Sequence, residues 1–271
     1  MIIVKMTGGL GNQMFQYAFA KAVSTHFKTG LVLDLSWYTN ADRVFLLDTL
    51  NVSYDAKITN RFIARALHLI PFKRIKEGSP ETDYTPWSVI EGYWESYKYF
   101  DIVRDVLKKE FTLKSPSIRF VEIAKNISKT NSIAVHVRRG DYLVPHGKYL
   151  NTLEYYNKAV EAVITEKKLI APEITIFSDD KEYCKKEMAT LAGFPTKVFD
   201  DKSIPDSEEF ALMSLFAHNV ISNSTFSWWS AYLNRNPKTV TITPEHWFTD
   251  AEKNKKYTAA MIVPGWKMLR M

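Results

Sequence analysis

The chain has 271 residues, of which 46% are hydrophobic and 24% are charged, a balance typical of a folded globular protein and not of a disordered one. Its single cysteine, Cys184, excludes an intrachain disulfide, and the net charge of +6 leaves a solvated surface, an anionic ligand or an anionic membrane open as explanations. No run approaches the roughly 20 apolar residues that span a bilayer. The N-terminus lacks a signal-peptide pattern, so we expect a cytoplasmic protein.

The chain opens with a strand, a glycine-rich turn, a helix and a second strand. Residues 2–4 form a β-branched run, and the apolar residues from Phe15 to Val23 recur at spacings of three and four. Residues 31–33 read as the next strand, which completes a unit typical of parallel sheets. Residues 51–99 show no clear period, and two helical segments follow, at 101–111 and up to about 128.

The second half repeats the alternation of strands and helices. We predict strands at 132–137, 174–177, 197–199, 219–221 and 239–242, with helices at 153–168, 182–191, 208–217 and 226–234. This order is typical of a doubly wound α/β domain. We therefore predict two units, 1–129 and 130–271, with the C-terminal tail as a segment that packs back on the first. Ligands of such sheets bind at the carboxyl ends of the strands.

Glycines follow the first strand, in the run Gly8-Gly9-Leu10-Gly11-Asn12-Gln13. Glycines at this place allow the backbone to approach an anion at the start of a helix. Met14 stands where a dinucleotide-binding fingerprint has its third glycine, which argues against a nicotinamide oxidoreductase. A plain strand-to-helix turn is the alternative interpretation.

Two arginines follow the strand at 132–137, in the run His136-Val137-Arg138-Arg139-Gly140-Asp141-Tyr142. Guanidinium groups keep their charge and contact phosphate oxygens in pairs, so this run suits a diphosphate. Asp141 could hold one arginine in place. Alternatively, both arginines are surface residues paired with acids, and neighbouring strand positions point to opposite faces.

Two further polar runs follow predicted strands. Asp179 and Asp180 could bind Mg²⁺, accept hydrogen bonds from a base or ribose, or cap the next helix. The run Ser222-Asn223-Ser224-Thr225 precedes a helix, where hydroxyls and amides suit phosphate oxygens. We expect Trp228 and Trp229, which come next, to lie in the core.

Taken together, these runs resemble the α-1,2-fucosyltransferases of glycosyltransferase family 11, over nearly the whole chain. The resemblance rests on residues 8–18, 136–142, 177–180 and 222–229. It implies an α/β, GT-B-like fold with two Rossmann-like domains facing across a cleft. The first domain would serve the acceptor, and the second would bind GDP-fucose.

The resemblance also implies roles for individual residues. Arg138 would bind the β-phosphate and help GDP to leave, with Arg139 in support. The implied donor-binding residues are His136, Arg138, Arg139, Asp179, Asp180, Ser224, Thr225 and Phe226, and those on the acceptor side are Gly11, Asn12 and Gln13. The catalytic candidates are Arg138 and Asn12, together with His146 and Asp141 as candidate bases. His146 could equally be an ordinary loop histidine, and Asp141 a partner of an arginine.

The implied reaction is inverting transfer of L-fucose from GDP-fucose to the 2-hydroxyl of a galactoside, without metal or cofactor. The acceptor would be a galactose-containing oligosaccharide or lipid-linked glycan, in bacterial O-antigen or capsule synthesis. A GDP-fucose transferase of another linkage and a non-catalytic nucleotide-sugar-binding protein are the alternatives, and nucleic acid is not expected. Basic clusters suggest, as a hypothesis, peripheral contact with the anionic inner membrane.

Overall fold

The computed structural model describes residues 1–67, 69–79, 83–143 and 149–270. It divides into two compact units, Met1–Lys114 and Ser115–Met271. Within the described residues, none of the helices is both long enough and apolar enough to cross a membrane.

The first unit is built on a parallel sheet. Its elements are β1 (Ile2–Lys5), α1 (Leu10–His26), β2 (Leu31–Asp34), β3 (Ala56–Ile58), α2 (Arg61–Leu67), β4 (Lys73–Lys76), β5 (Ser88–Glu91) and α3 (Arg104–Glu110). The strand order is β3-β2-β1-β5-β4. The chain runs from β1 outward on one side and returns to β5 on the other, so the order reverses between β1 and β5.

Helix α1 is buried on nearly all sides, which explains its run of apolar residues with little polar contrast. Phe19 stacks on the buried Trp94, with ring centroids 3.8 Å apart and planes tilted by 19°. Tyr17 donates a hydrogen bond to Glu110 of α3 at 2.7 Å. These contacts fix the helix and, with it, the glycine-rich turn at its N-terminus.

The second unit contains a larger sheet. Its elements are α4 (Ile118–Asn126), β6 (Ser132–Val137), α5 (Leu153–Lys167), β7 (Glu173–Ser178), α6 (Lys181–Glu187), β8 (Thr190–Leu191), β9 (Phe194–Val198), α7 (Asp206–Met213), β10 (His218–Val220), α8 (Thr225–Tyr232), β11 (Thr241–Pro244), α9 (Ala251–Met261) and β12 (Lys267–Leu269). The strand order is β12-β11-β10-β6-β7-β9-β8. The pairs are parallel, apart from the antiparallel β8 and β9.

The central strand β6 is buried on both faces. Val135 packs in the same apolar cluster as α5, whereas Ala134 packs with α7 on the opposite face. This alternation places His136 on the face of Ala134. Since β7 lies on one side of β6 and β10 on the other, the strand order reverses between β6 and β10.

The structure differs from the sequence-based prediction at the boundary between the units. The predicted boundary, 129/130, falls inside the second unit, because Phe120 and Ile123 of α4 pack against the core of that unit. The C-terminal strand β12 pairs with β11 of the same unit.

Some elements were predicted wrongly or missed. The helix predicted at 182–191 ends at Glu187, and residues 190–191 form β8, which pairs with β9 through a turn at Gly193 with φ +81°. The prediction missed α9 and β12, as well as β3, β4 and β5 of the first unit. Most of these strands have only two to four residues, which is too short to show a period.

Candidate active site

The strand register brings the arginines and aspartates together at one edge of the second sheet. Val137, the last residue of β6, is paired with Ser178, the last residue of β7. Arg138 and Arg139 therefore leave the sheet beside Asp179 and Asp180. The site lies at the carboxyl ends of the strands, next to the point where their order reverses, which is the usual place for a ligand in an open α/β sheet.

Arg138 is held by two carboxylates. Its Nε and Nη2 donate to Oδ1 of Asp141 at 3.0 and 2.7 Å, and its Nη1 lies 3.1 Å from Oδ2 of Asp179. The Arg138 side chain remains a quarter exposed. It is thus oriented by its neighbours and still accessible to a ligand.

Arg139 is more firmly enclosed. Its guanidinium group lies 3.4 Å from the ring centroid of Tyr183, and its Nε donates to Asp180 at 3.1 Å. Asp180 also caps α6, since its side chain accepts a hydrogen bond from the Tyr183 amide. The two arginines therefore point to different partners, and Arg139 supports the loop while Arg138 faces outward.

Gly140 lies so close to Asp179 that a side chain at position 140 would displace the carboxylate. A Cβ atom at this position would lie 2.6 Å from Oδ2 of Asp179, the oxygen that pairs with Arg138. The other oxygen, Oδ1, accepts a hydrogen bond from the Arg139 amide at 2.9 Å. Asp179 thus fixes both the turn after β6 and the position of Arg138.

His136 links the two strands at which the order reverses. Its Nδ1 lies 2.7 Å from the hydroxyl oxygen of Ser222, just after β10. The side chain is buried, and burial, together with the positive charge of Arg138, lowers the pKa of His136 to about 3. The imidazole is therefore neutral near pH 7, so it takes part as a hydrogen-bonding group and not as a cation.

The start of α8 completes this edge. Ser224 is the N-cap residue, but its side chain makes no capping hydrogen bond, and Thr225 begins the helix. Phe226 lies with its ring 5.7 Å from that of His136. Hydroxyls and main-chain amides at a helix start favour an anion.

Asn223 fixes the loop before α8 in place. Its Nδ2 donates to the carbonyls of Tyr149 and Trp247 at 2.7 and 2.9 Å. Its own carbonyl accepts a hydrogen bond from Tyr142 at 2.9 Å. Trp228 and Trp229 are fully buried, as predicted.

Gln13 has a structural role in the first unit, and its predicted place on the acceptor side stays a prediction. Its Nε2 donates to the carbonyls of Gly8 and Val44, and its Oε1 accepts from the amides of Leu46 and Leu47, at 2.9–3.0 Å. Two donors and two acceptor sites are all that an amide side chain has, so none remains for a sugar.

Gly11 and Asn12 lie at the carboxyl edge of the first sheet, as we predicted from the glycine-rich run. Gly8 has φ +77°, and a Cβ atom there would lie 2.8 Å from Nδ2 of Asn12. The turn thus requires glycine at position 8 and places the half-buried Asn12 beside the backbone.

The structure describes only one of the two candidate bases, Asp141. Asp141 is bound to Arg138, which supports the interpretation that it partners an arginine. His146 lies outside the described residues. Sequence reasoning did not single out Tyr183, although its position three residues after the capping Asp180 is the signal that could have found it. Ser222 was predicted only as part of the run before α8, because its contact with His136 joins residues far apart in the sequence.

A metal would have to use the carboxylates of this edge. Asp179 and Asp180 point at the arginines. Over the ranges that the structure describes, groups of three or more His, Cys, Asp or Glu side chains suited to a metal ion do not occur.

The sequence profile of Glycosyl transferase family 11 matches residues 1–270. The chain belongs to glycosyltransferase family 11. This membership confirms the resemblance inferred from the four runs, and it makes the chain a glycosyltransferase.

Two curated relatives show what other members of the family do. The α-1,2-colitosyltransferase of Escherichia coli is 31% identical, over 93% of this chain and 94% of that protein. The galactoside α-(1,2)-fucosyltransferase 1 of Sus scrofa is 27% identical, over 55% of this chain and 43% of that protein. Family 11 enzymes thus include α-1,2 transferases of more than one sugar.

A solved structure supports the fold. A mutant of Arabidopsis thaliana FUT1 in complex with GDP aligns with a TM-score of 0.51 and 13% identity, over 86% of this chain and 68% of that one. The predicted fold class, with two Rossmann-like units of the GT-B type, is confirmed for this glycosyltransferase.

We predict that Gly140→Ala weakens binding of GDP by about tenfold or more, because the added methyl group displaces the Asp179 carboxylate from Arg138 and removes a charge-assisted contact. Calorimetric titration with GDP measures the change. Gly9→Ala is the matched control, since a Cβ atom there meets no atom within 4 Å. Equal GDP affinity in the Gly140→Ala protein, with an unchanged melting temperature, would contradict the assigned role of the glycine.

Proposed function

We propose that this family 11 glycosyltransferase transfers L-fucose from GDP-β-L-fucose to the 2-hydroxyl of a terminal galactoside, with inversion at the anomeric carbon. The observation that carries the proposal is the position of Arg138. It stands at the strand-order reversal of the second sheet, near the start of α8, with its guanidinium group oriented and partly exposed. The α-1,2 linkage and the galactoside acceptor are supported by the names of the two relatives.

Charge balance decides how a diphosphate would enter the site. Arg138 and Arg139 face the carboxylates of Asp141, Asp179 and Asp180, so an added anion must replace a carboxylate. Asp141 is nearly half exposed and is bound to Arg138 only through Oδ1, whereas Asp179 is fixed through both oxygens. We infer that the diphosphate displaces Asp141 and leaves Asp179 in place.

The proposed reaction is a single displacement. The acceptor oxygen forms a bond to the anomeric carbon of fucose from the face opposite the diphosphate, which leaves with the electron pair of the broken carbon–oxygen bond. A β-linked donor therefore gives an α-linked product. Negative charge builds up on the departing GDP, and the permanent charge of Arg138 stabilises it.

The proton of the acceptor hydroxyl must also leave. Displacement of Asp141 from Arg138 would free a carboxylate beside the reacting centre, and we propose it as the proton acceptor. Neutral His136 and the hydroxyl of Ser224 would contact the nucleotide as hydrogen-bonding groups. Because Arg138 supplies the positive charge at the leaving group, we propose that the reaction requires no metal ion.

The same geometry leaves two alternatives to be tested. The colitosyltransferase relative shows that the sugar of the donor varies within the family, so another GDP-sugar or another linkage would fit the same arginine site. A non-catalytic nucleotide-sugar-binding protein would bind the donor without turnover. The predicted role in O-antigen or capsule synthesis stays a prediction.

We predict that the protein incubated with GDP-fucose and lactose, in EDTA, releases GDP and forms 2-linked fucosyl-lactose. Mass spectrometry follows GDP, and NMR assigns the linkage and the anomeric configuration. Arg138→Ala should lower turnover by at least 100-fold, because it removes an electrostatic contact to the leaving group.

Arg270→Ala is the control, since Arg270 is an exposed arginine of the same unit. Donor binding without product would favour the non-catalytic alternative, and a product with another linkage would correct the regiochemistry. Absence of both GDP-fucose binding and product would contradict the proposal.

A surface of the first unit favours peripheral contact with anionic lipid. Between residues 56 and 79 the sequence has six Lys or Arg residues and one carboxylate, Glu77. Three of these cations, Lys57, Lys73 and Arg74, pair with the carboxylates of Asp48, Asp83 and Glu91. Apolar side chains are exposed in the same segment by 47–88%: Phe62, Ile63, Leu69 and Ile70. We propose that these apolar residues and the neighbouring cations contact the membrane surface.

We predict that the protein floats with vesicles containing phosphatidylglycerol and not with phosphatidylcholine vesicles. Phe62→Ser should reduce the bound fraction severalfold, because it removes apolar area that the membrane surface would bury. Ile170→Ser, at an exposed apolar residue of the second unit, is the control. Binding that is indifferent to both vesicle charge and Phe62→Ser would contradict this contact.

A further inference from the structure

Two exposed aromatic side chains stand at the carboxyl edge of the first sheet. Trp37 follows β2 and is 38% exposed, and Tyr93 follows β5 and is 42% exposed. Between them lies β1, whose end carries the glycine-rich turn. Since the strand order reverses between β1 and β5, these side chains flank the place where such a sheet binds a ligand.

Tyr38 connects Trp37 to the glycine-rich turn. Its hydroxyl donates to the carbonyl of Gly8 at 2.9 Å, and its ring meets that of Trp37 edge to face, with centroids 5.0 Å apart. Burial raises the pKa of the Tyr38 phenol. Trp37 is thus joined to the Gly8 turn through Tyr38, and Tyr93 follows β5, the neighbour of β1 on its other side.

The backbone around Tyr93 is shaped to expose its ring. Gly92 has φ +124° and Trp94 has φ +59°, an uncommon conformation for a bulky residue. Trp94 turns inward and stacks on Phe19, while the Tyr93 amide donates to Glu77 at 3.1 Å. A side chain at position 92 would place its Cβ 2.9 Å from Cβ of Glu77, so glycine is needed there.

Core packing explains the position of Trp94 but not that of Tyr93. Residues in unusual backbone conformations cost of order 1–3 kcal/mol each and cluster at ligand sites. Trp94 is anchored by its stack on Phe19, whereas the ring of Tyr93 is left partly in solvent. The ring of Tyr93 is therefore open to a ligand at this edge of the sheet.

We propose that Trp37 and Tyr93 form an aromatic subsite that binds the galactose ring of the acceptor. One face of a galactoside presents C–H groups, which suit the negative face of an aromatic ring. Asn12 beside Gly8 adds a polar side chain at the same edge, where sugar hydroxyls need partners. The proposal rests on the proposed galactoside acceptor and names the residues that recognise it.

The test uses lactose as the probe and measures binding as well as turnover. Saturation-transfer NMR detects lactose on the full-length protein, and kinetics give the acceptor KM at saturating GDP-fucose. Tyr93→Ala and Trp37→Ala should each raise the lactose KM by roughly tenfold, since an aromatic contact is lost. Tyr93→Phe keeps the ring and should stay close to the unaltered protein.

The chain offers a matched control in Trp87, which is 59% exposed and precedes the amino end of the same strand β5. Trp87→Ala should change neither the NMR signal nor the KM. Calorimetry with GDP-fucose should give the same affinity in every variant, which separates acceptor binding from donor binding and shows that each variant is folded.

The outcomes distinguish this subsite from the proposed function. Turnover with an unchanged lactose KM in both alanine variants overturns the subsite but agrees with the proposed transferase function. An equal effect of Trp87→Ala also overturns it. Lactose signals that disappear in Tyr93→Ala and Trp37→Ala support the subsite even if turnover is absent, and no lactose signal in the unaltered protein overturns it.

Discussion

The contact between Asp179 and the two arginine positions is the constraint on which the second unit's site depends. One carboxylate oxygen accepts the Arg139 amide, and the other pairs with Arg138. The register of β6 and β7 brings these residues together, and a larger residue at position 140 would displace the same oxygen. Strand pairing, turn geometry and the direction of a guanidinium group are thus coupled through one side chain.

The edges of the two sheets differ in chemistry although both follow the same topology. In the second unit, arginines, a neutral buried histidine and a helix start favour an anionic ligand. In the first unit, Trp37 and Tyr93 offer ring faces beside a glycine turn, and the basic groups are absent from that turn. A transferase needs one surface for a charged donor and one for a neutral acceptor, and this division of chemistry fits that need.

The sequence predicted the second unit better than the first, and the reasons are physical. The arginine and aspartate runs follow apolar strands, so periodicity alone located them at a sheet edge. The role of Gln13 depends on a loop more than 30 residues away, which no local pattern reveals. Tyr93 lies in a stretch whose strands are too short to show a period, and its exposure follows from backbone conformations at Gly92 and Trp94.

Arg138 is proposed to contact the outer phosphate of guanosine diphosphate, which GMP lacks, so a comparison of GDP with GMP isolates this contact. Calorimetry on the unaltered protein and on Arg138→Lys gives the affinity for both nucleotides. We expect the substitution to remove most of the preference for GDP while the affinity for GMP stays the same, because the planar fork of arginine makes contacts that lysine does not. An unchanged ratio of the two affinities would contradict it.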